Sequence, residues 1–397
     1  MFLNFQYREG VFKAPLTLRT KLPLKLSRVP NAGGQRQKGR TAASHSHSKA
    51  SLPPLEFYPP FCYDSPMSAA NTFGRIFSVT SFGESRSGAV GVVIDGCPAG
   101  LALSADDFSA ALEKRKAQFF FETPRREPDV PKIISGVFRG RTLGTPIAII
   151  VENKNTGTEG YEQLEHVFRP GHADAAWQAK FGFRDFRGGG RSSGRETLAR
   201  VLAGAVASKI LAKSNITVAA RPTAAAGLPC NEDGSFPDAV LQKIRSIQAE
   251  GNSCGGLVRC EVWGTPAGLG EPVFSKLDAE LAKAVFSIGA VKGVEFGAGF
   301  QFAAMDGYTA NTPDKNYNGG IIGGISTGET VYFTVAIKPI PSVSRMQIAR
   351  TDTGAEVPLH IIGRHDTCLV RWICPVIEAM TALTLVDFLL RAQSDRI

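Results

Sequence analysis

A stretch rich in glycine, arginine and serine, residues 184–197, is the part of the sequence that most directly suggests chemistry. Three consecutive glycines at residues 188–190 allow the backbone to turn sharply and to approach a ligand closely. Arg191, Ser192 and Ser193 follow directly before a predicted helix, whose first N–H groups and positive dipole end attract anions. The stretch therefore favours a phosphate site, although glycine with arginine is equally typical of a flexible turn with solvated side chains.

Further clusters place basic and polar residues beside proline and glycine, in turns where functional residues concentrate. Arg125 and Arg126 stand between two prolines, and residues 169–174 set His172 on a Pro-Gly turn. Late in the chain, residues 363–366 likewise place an arginine, a histidine and an aspartate after a glycine. A substrate that carries several phosphate or carboxylate groups would explain why arginines recur at such positions.

The sequence gives no support for metal chemistry, because it contains neither of the motifs H-x-x-x-H and D-x-D. His166 and His360 lack charged clusters of this kind around them and are interpreted as structural. We therefore predict no metal site.

The elements that must position these residues are short apolar runs separated by glycines, together with a few helical patterns. Strands are predicted at residues 90–94, 147–151, 258–263 and 331–337. Helices are predicted from a capping signal at residues 103–107 to about residue 116, and at residues 195–213, 277–286 and 376–391. Strands do not alternate strictly with helices, so an α+β fold is favoured over a doubly wound parallel sheet.

The composition argues against several other classes of protein. The seven cysteines are scattered through 397 residues with no C-x-x-C pair, which argues against a disulfide framework or a zinc ribbon and favours a reducing compartment. No run approaches the roughly 18 consecutive apolar residues that a transmembrane helix needs. The sequence is therefore typical of a chain with a sizeable core and no membrane span.

Most of the positive charge lies in the first 66 residues, which hold ten Lys and Arg against three Asp and Glu and so carry +7 of the net charge of +9. This segment is rich in Ser, Gly and Pro and is predicted to be disordered. Three interpretations stay open: an organelle transit segment, a nucleic-acid-binding arm, or a segment upstream of a true start at Met67. We accordingly divide the chain into an extension, residues 1–66, and a domain, residues 67–397.

The domain resembles the chorismate synthase family from about residue 71 to residue 391. The resemblance is carried by eleven motifs in the family's order: FGES, DGCPAG, RREPD, SGVF, GTPIA, FRPGHAD, GGGRSS-x-RET, PAGLGEPVF, AVKGVEFG-x-GF, GGI-x-GGIS and GRHD. It implies a homotetramer of β-α-β sandwich subunits, in which helices lie between antiparallel sheets. The implied location is the cytoplasm, or a plastid or other organelle if residues 1–66 are a transit segment.

The resemblance also implies a reaction, the last step of the shikimate pathway. In this 1,4-elimination, 5-enolpyruvylshikimate 3-phosphate loses phosphate and a ring proton and becomes chorismate. The reaction is redox-neutral but requires reduced FMN. NADPH would be needed only if a flavin reductase activity were present in the chain.

Individual residues receive roles from the resemblance alone. Catalytic positions are His172, which works against the reduced flavin ring, Asp366, which lies near flavin N5 and helps to remove the ring proton, and Arg86. Flavin-contact positions are Arg191, Ser192, Ser193, Gly289, Ala290, Gly323, Lys338, Pro339, Ile340, Pro341, Ser342 and Arg364. Substrate anions would be held by Arg115, Arg125 and Arg126.

Three departures from the family pattern affect the site. The family motif GESHG has a histidine that is expected to protonate the departing phosphate, and this chain has Arg86 there. Residues 114–121 keep Arg115 but lack the family's proline, glycine and second arginine. The family sequence Lys-Pro-Thr-Ser-Ser is replaced by KPIPS at residues 338–342, which removes hydroxyls from a flavin-facing loop. These changes predict weakened activity.

Two other classes of function stay open. A non-catalytic relative that binds flavin or a phosphorylated ligand, for example as an assembly subunit, would keep the arginine clusters. A nucleic-acid-binding protein would use residues 1–66, but the domain is nearly neutral and lacks interleaved basic and aromatic residues. We predict a small anionic substrate, with neither a nucleic acid nor a membrane as partner.

Overall fold

The computed structural model describes residues 70–123, 127–157, 160–361 and 365–395. Within them the strands are β1 (Thr72–Phe73), β2 (Ser78–Phe82), β3 (Ala89–Asp95), β4 (Lys132–Ile133), β5 (Val137–Phe138), β6 (Arg141–Thr142), β7 (Ile147–Glu152), β8 (Val167–Phe168), β9 (Thr217–Ala225), β10 (Leu228–Pro229), β11 (Gly256–Trp263), β12 (Val291–Phe296), β13 (Ile321–Ile322), β14 (Ile325–Ser326), β15 (Val331–Ile337), β16 (Gln347–Thr351) and β17 (Glu356–Leu359). The α-helices are α1 (Ser109–Lys114), α2 (Asp174–Phe181), α3 (Thr197–Ala212), α4 (Asp238–Ala249), α5 (Leu277–Phe286), α6 (Gly307–Ala310) and α7 (Cys374–Arg391).

Two five-stranded antiparallel sheets form the outer layers. The first has the order β1-β2-β3-β7-β4, and the second has the order β10-β9-β11-β15-β12. Alternate residues of β7 and β15 are buried, because successive side chains of a strand point to opposite faces of the sheet. Each sheet therefore turns one face to the core.

Helices α3 and α7 form the layer between the sheets. Helix α3 contacts β2, β3 and β7 of the first sheet, and α7 contacts β9 and β11 of the second. The two helices pack closely where Gly204 meets Ala379, since a Cβ added to Gly204 would lie 2.4 Å from the Ala379 Cβ. Almost every residue of α7 is buried, as expected for a helix that is apolar all round. The expected α+β class and β-α-β sandwich are confirmed.

The predicted elements are found with shifted ends. Strands β3, β7, β11 and β15 cover the four predicted strands, and α5 has the predicted bounds. Helix α3 begins at Thr197 rather than at residue 195, because the glycines before it have positive φ and only a short 3₁₀ turn, Gly194–Glu196, links them to the helix. The helix expected to end near residue 116 is a 3₁₀ turn, Ala105–Phe108, followed by the short α1.

No helix of the described residues is long and apolar enough to cross a membrane. One hydrophobic core cluster runs from Phe77 in the chain's first described segment to Phe388 in α7. The extension, residues 1–66, lies outside the described residues, so the proposed boundary stays a prediction.

A chain truncated to begin at Met67 is expected to fold and to form the same oligomer as the full chain. The reason is that the described hydrophobic core cluster has its first member at Phe77, downstream of the cut. Thermal unfolding followed by circular dichroism and mass measurement by light scattering would check this. A truncated chain that unfolds, or assembles differently, would contradict the boundary.

Candidate functional site

A cavity of about 950 Å³ lies beside the start of α3. Its volume is at the upper end of the range of roughly 300–1,000 Å³ that small-molecule sites occupy, so it has room for more than one ligand. It is bordered by the Gly-rich turn before α3, the turn after β8, the segment after β15 and the segment before α7. Four stretches that are distant in the sequence therefore converge here.

The Gly-rich turn needs glycine for two separate reasons at Gly189. Its φ is +86°, which L side chains rarely adopt, and an added Cβ would lie 3.1 Å from the His172 Cε1 atom. Next to it, the Arg191 guanidinium donates hydrogen bonds to the backbone and side chain of Ser81, at 3.1 and 2.9 Å. The turn thus brings His172 and Arg191 to one wall of the cavity.

A buried ionic cluster fixes the orientation of His172. Arg169 Nε lies 2.8 Å from Asp174 Oδ2, and His172 Nδ1 lies 2.8 Å from Asp174 Oδ1. Burial opposes the charge on Asp174, but hydrogen bonds from His172 and Arg169 outweigh burial and hold the pKa of Asp174 well below its usual value. The carboxylate is therefore charged near neutral pH and aligns both the imidazole and the guanidinium.

Asp366 borders the same cavity from the segment before α7. The Thr123 N–H donates to its Oδ1 atom at 2.6 Å. Burial raises the pKa of Asp366, although the bond from Thr123 opposes that shift. A carboxylate with a raised pKa in a cavity is suited to accept a proton.

Two cations border the cavity on other sides. The Arg115 guanidinium donates to Thr197 Oγ1 at 2.9 Å and stacks on the Trp372 ring at 4.6 Å from its centroid. Burial lowers the pKa of Arg115 to about 10, so it remains charged at neutral pH. Lys338 Nζ donates to the Gly171 carbonyl at 2.8 Å, and burial lowers its pKa. Both can attract anionic ligands.

The Arg195 guanidinium contacts three other side chains of the protein. Its Nε atom donates to Asn153 Oδ1 at 2.9 Å, and its Nη1 atom donates to Asp129 Oδ1 at 2.6 Å. Its Nη2 atom lies 3.1 Å from Glu127 Oε2. Arg195 therefore ties the loop at residues 127–129 to the start of α3.

Arg86 does not border the cavity. Its Nη1 atom donates to Asn155 Oδ1 at 2.7 Å, and its Nη2 atom donates to the Tyr161 hydroxyl at 3.0 Å. The guanidinium also lies over the Tyr161 ring, 5.2 Å from its centroid. Tyr161 itself borders the cavity, so Arg86 is one side chain removed from it.

The cavity brings together most of the residues that the sequence singled out. They are Arg115, His172, Arg191, Ser192, Ser193, Gly289, Ala290, Lys338, Ile340, Pro341, Ser342 and Asp366. Pro339 does not border the cavity. It packs against Gly255, where an added Cβ would lie 3.2 Å from the Pro339 Cδ atom. Gly323, in the turn between β13 and β14, is exposed and does not border the cavity. Arg125, Arg126 and Arg364 lie outside the described residues.

Sequence reasoning missed several residues of this site. Tyr161 and Trp372 border the cavity but follow no motif that would single them out. His365 also borders it, and the sequence did contain a signal for this residue, since it lies directly before Asp366 in a polar turn. Among the described residues, no group of three or more His, Cys, Asp or Glu is arranged to hold a metal ion. The arrangement can bind anions and transfer protons.

Comparison with known proteins gives a consistent result. A sequence model of the family described as chorismate synthase matches residues 77–390. A chorismate synthase of Treponema denticola is 45% identical over 358 residues, which are 82% of this chain and 99% of that protein. One of Oleidesulfovibrio alaskensis is 48% identical over 344 residues, 81% of this chain and 97% of that protein. A solved structure described as a crystal structure of chorismate synthase matches with a TM-score of 0.64 at 26% identity, over 81% of this chain and 94% of that chain.

Proposed function

The chain belongs to the chorismate synthase family, and we propose that the cavity beside α3 is its active site. The protein is a lyase of the shikimate pathway, which leads to the aromatic amino acids. It converts 5-enolpyruvylshikimate 3-phosphate to chorismate and phosphate. The observation that carries the assignment of the site is the convergence of His172, Arg191 and Asp366 on one cavity of about 950 Å³.

The family uses a reduced flavin, and we propose that this flavin is FMN, bound in the cavity. Arg191 and Lys338 supply positive charge for a phosphate, and Ser193 supplies a hydroxyl. A Cβ added to Gly289 would meet no atom within 4 Å, so the wall there is open to a planar ring. When bound, reduced FMN supplies an electron-rich ring beside the substrate in a reaction without net oxidation. NADPH is needed only if the chain also reduces flavin.

In this proposal, some residues of the chain bind the substrate and others transfer protons. Arg115, charged and backed by Trp372, binds a carboxylate or phosphate of the substrate. Asp366 accepts the ring proton, because burial raises its proton affinity. His172 is held at Nδ1 by Asp174, which leaves Nε2 to exchange a proton. Arg125 and Arg126 are proposed as further substrate ligands, and Arg364 and Gly323 as further flavin ligands, by resemblance alone.

Arg86 is proposed to act by charge and not by proton donation. A guanidinium with a pKa above about 12 cannot give up a proton at neutral pH, but it stabilises the negative charge of a nearby phosphate. Its bonds to Asn155 and Tyr161 hold the charge just behind the cavity wall. The weakened turnover expected from this arginine stays a prediction.

The proposed assembly is a homotetramer. Large apolar side chains are exposed on the single chain, with Phe274 94%, Phe300 86% and Phe183 84% exposed. Exposed apolar surface of this kind supports burial against further copies of the chain. We also propose a cytoplasmic location, with an organelle as the alternative if residues 1–66 are a transit segment; the free cysteines among the described residues support a reducing compartment.

An anaerobic assay with chemically reduced FMN and 5-enolpyruvylshikimate 3-phosphate tests the function directly. We expect chorismate and phosphate in equal amounts. Tight binding of FMN or substrate without any product would instead support the alternative of a non-catalytic relative or assembly subunit. Supplying NADPH and oxidised FMN in place of reduced FMN would show whether the chain also has a flavin reductase activity, because chorismate would then form only if the chain reduces the flavin.

Replacing Arg191 with alanine is expected to weaken FMN binding by at least about tenfold, since a charge-assisted hydrogen bond contributes roughly 1.5–3 kcal/mol. Lys114→Ala is the matched control, because Lys114 is 55% exposed and pairs with Glu378 away from the cavity. The measurement is a titration followed by flavin fluorescence. Equal effects of the two substitutions would remove the basis for the assignment.

A further inference from the structure

His365 has a buried ring nitrogen that nothing in the described chain satisfies. Its Nε2 atom is buried without a hydrogen-bond partner among the described residues, although the residue borders the cavity. The ring also hydrogen-bonds the main chain of Ile361, which must involve the other nitrogen, Nδ1. A buried polar atom left without a partner destabilises the protein, and a ligand in the cavity can supply the missing hydrogen bond.

Two charged groups among the described residues act on this ring. Burial lowers the pKa of His365 in the free protein, and the Arg169 charge adds to this lowering. The Ile361 main chain and the Asp366 charge oppose the shift. The ring is therefore neutral at neutral pH before a ligand binds, with Nε2 as a hydrogen-bond acceptor. A bound phosphate would add negative charge and favour the protonated ring.

The reaction needs a proton at the departing phosphate. One C–O bond breaks with its electron pair going to a phosphate oxygen, and one ring C–H bond breaks to form the new double bond. The phosphate oxygen must then take up one proton to leave as hydrogen phosphate. Arg86 cannot provide it, because a guanidinium does not release a proton at neutral pH.

We propose, on the basis of the proposed function, that His365 Nε2 gives this proton to the leaving phosphate. The Nε2–H bond breaks as the phosphate O–H bond forms, and the imidazole becomes neutral. Asp366, the next residue, accepts the ring proton and returns it to His365, so the site takes up no net proton. The cycle is redox-neutral and needs no co-reactant beyond those of the established reaction.

His365→Asn separates this role from a structural one. The asparagine amide nitrogen occupies the place of Nδ1 and keeps the bond to Ile361, whereas Nε2 is lost. We expect kcat near neutral pH to fall by about 10²-fold with little change in KM, as for removal of a general acid. Wild-type kcat should fall at alkaline pH, as the imidazolium in the complex loses its proton, and the variant should lack this fall. His360→Asn, at an exposed position, is the matched control and should behave as wild type.

A second measurement uses inorganic phosphate alone and requires no turnover. With ¹⁵N-labelled histidine, NMR should report His365 in the free protein as a neutral ring with a free Nε2. Saturating phosphate is expected to raise the pKa of His365, and the same addition should leave the His360 signal unchanged. A His365 signal that does not respond to bound phosphate would overturn the proposal.

The outcomes separate this inference from the function on which it rests. If the wild type makes no chorismate, the proposed function fails. If the wild type makes chorismate while His365→Asn keeps its kcat and its alkaline fall, the function stands and the proton-donor role is wrong. Should His365→Asn lose its folded circular dichroism spectrum, His365→Gln, which fills more of the ring's volume, takes its place with the same expected loss.

Discussion

Asp366→Asn is expected to lower kcat by about 10²–10³-fold while the protein stays folded. Asparagine retains an oxygen that can accept the Thr123 N–H, so the local backbone contact is preserved. What it loses is the ability to accept the ring proton, and proton transfer by a positioned group is worth about 10²–10⁴-fold in rate. Steady-state kinetics with reduced FMN supplied, together with thermal unfolding, would measure both properties.

The pH dependence gives the same prediction a second readout. Asp366 must be ionised to act as a base, so wild-type kcat/KM should rise with pH as this carboxyl loses its proton. Because burial raises the pKa of Asp366, the rise should lie above the ordinary carboxyl range of about 4. The variant should lack this acidic limb. Asp352→Asn, at an exposed carboxyl paired with His166, is the control. An Asp366→Asn enzyme with wild-type turnover would rule out the base.

Asp174→Asn is expected to lower the free energy of unfolding at neutral pH by about 3 kcal/mol. The Asp174 side chain is 3% exposed and contacts Arg169 and His172, so the substitution leaves buried positive charge without its counter-charge. Breaking a buried ion pair from one side costs roughly 3–5 kcal/mol. Denaturant unfolding followed by tryptophan fluorescence would measure the loss.

The sign of the pH effect follows from the lowered pKa of Asp174. A carboxyl whose pKa is lower in the folded state stabilises the fold above its unfolded pKa of about 3.9, and this stabilisation is lost as pH falls toward the folded value. The stability difference between wild type and Asp174→Asn should therefore be full at pH 7 and shrink below about pH 4. Asp106→Asn, at an exposed carboxyl, should show no such difference. A deficit that is the same at pH 7 and at low pH would contradict the ionic explanation.

Local sequence patterns determined much of the fold. Short apolar runs bounded by glycines predict the strands β7 and β15. The helical spacing of apolar residues at 195–213 predicts a helix, and the three glycines at residues 188–190 predict a tight turn before it. The eleven motifs in the family's order indicated the chorismate synthase family, and the family in turn implied the reaction and the sandwich of sheets and helices.

Only the tertiary structure decided which of the singled-out residues meet. His172 and Asp366 are nearly two hundred residues apart in the sequence, and both border one cavity because the core packs α3 and α7 between the two sheets. Arg86 lies behind Tyr161, and Arg195 is held by Asn153 and Asp129. No pattern in the sequence reports these pairings, because the partner of a polar side chain depends on contacts between distant segments.

The same reason explains why His365 attracted no role from the sequence. Its residue type and its place beside Asp366 are visible in the sequence, but the burial of Nε2 and its lack of a partner among the described residues are not. Burial and hydrogen bonding are set by how separate segments pack around the ring, and they determine whether an imidazole is a solvated turn residue or a group able to exchange a proton with a ligand.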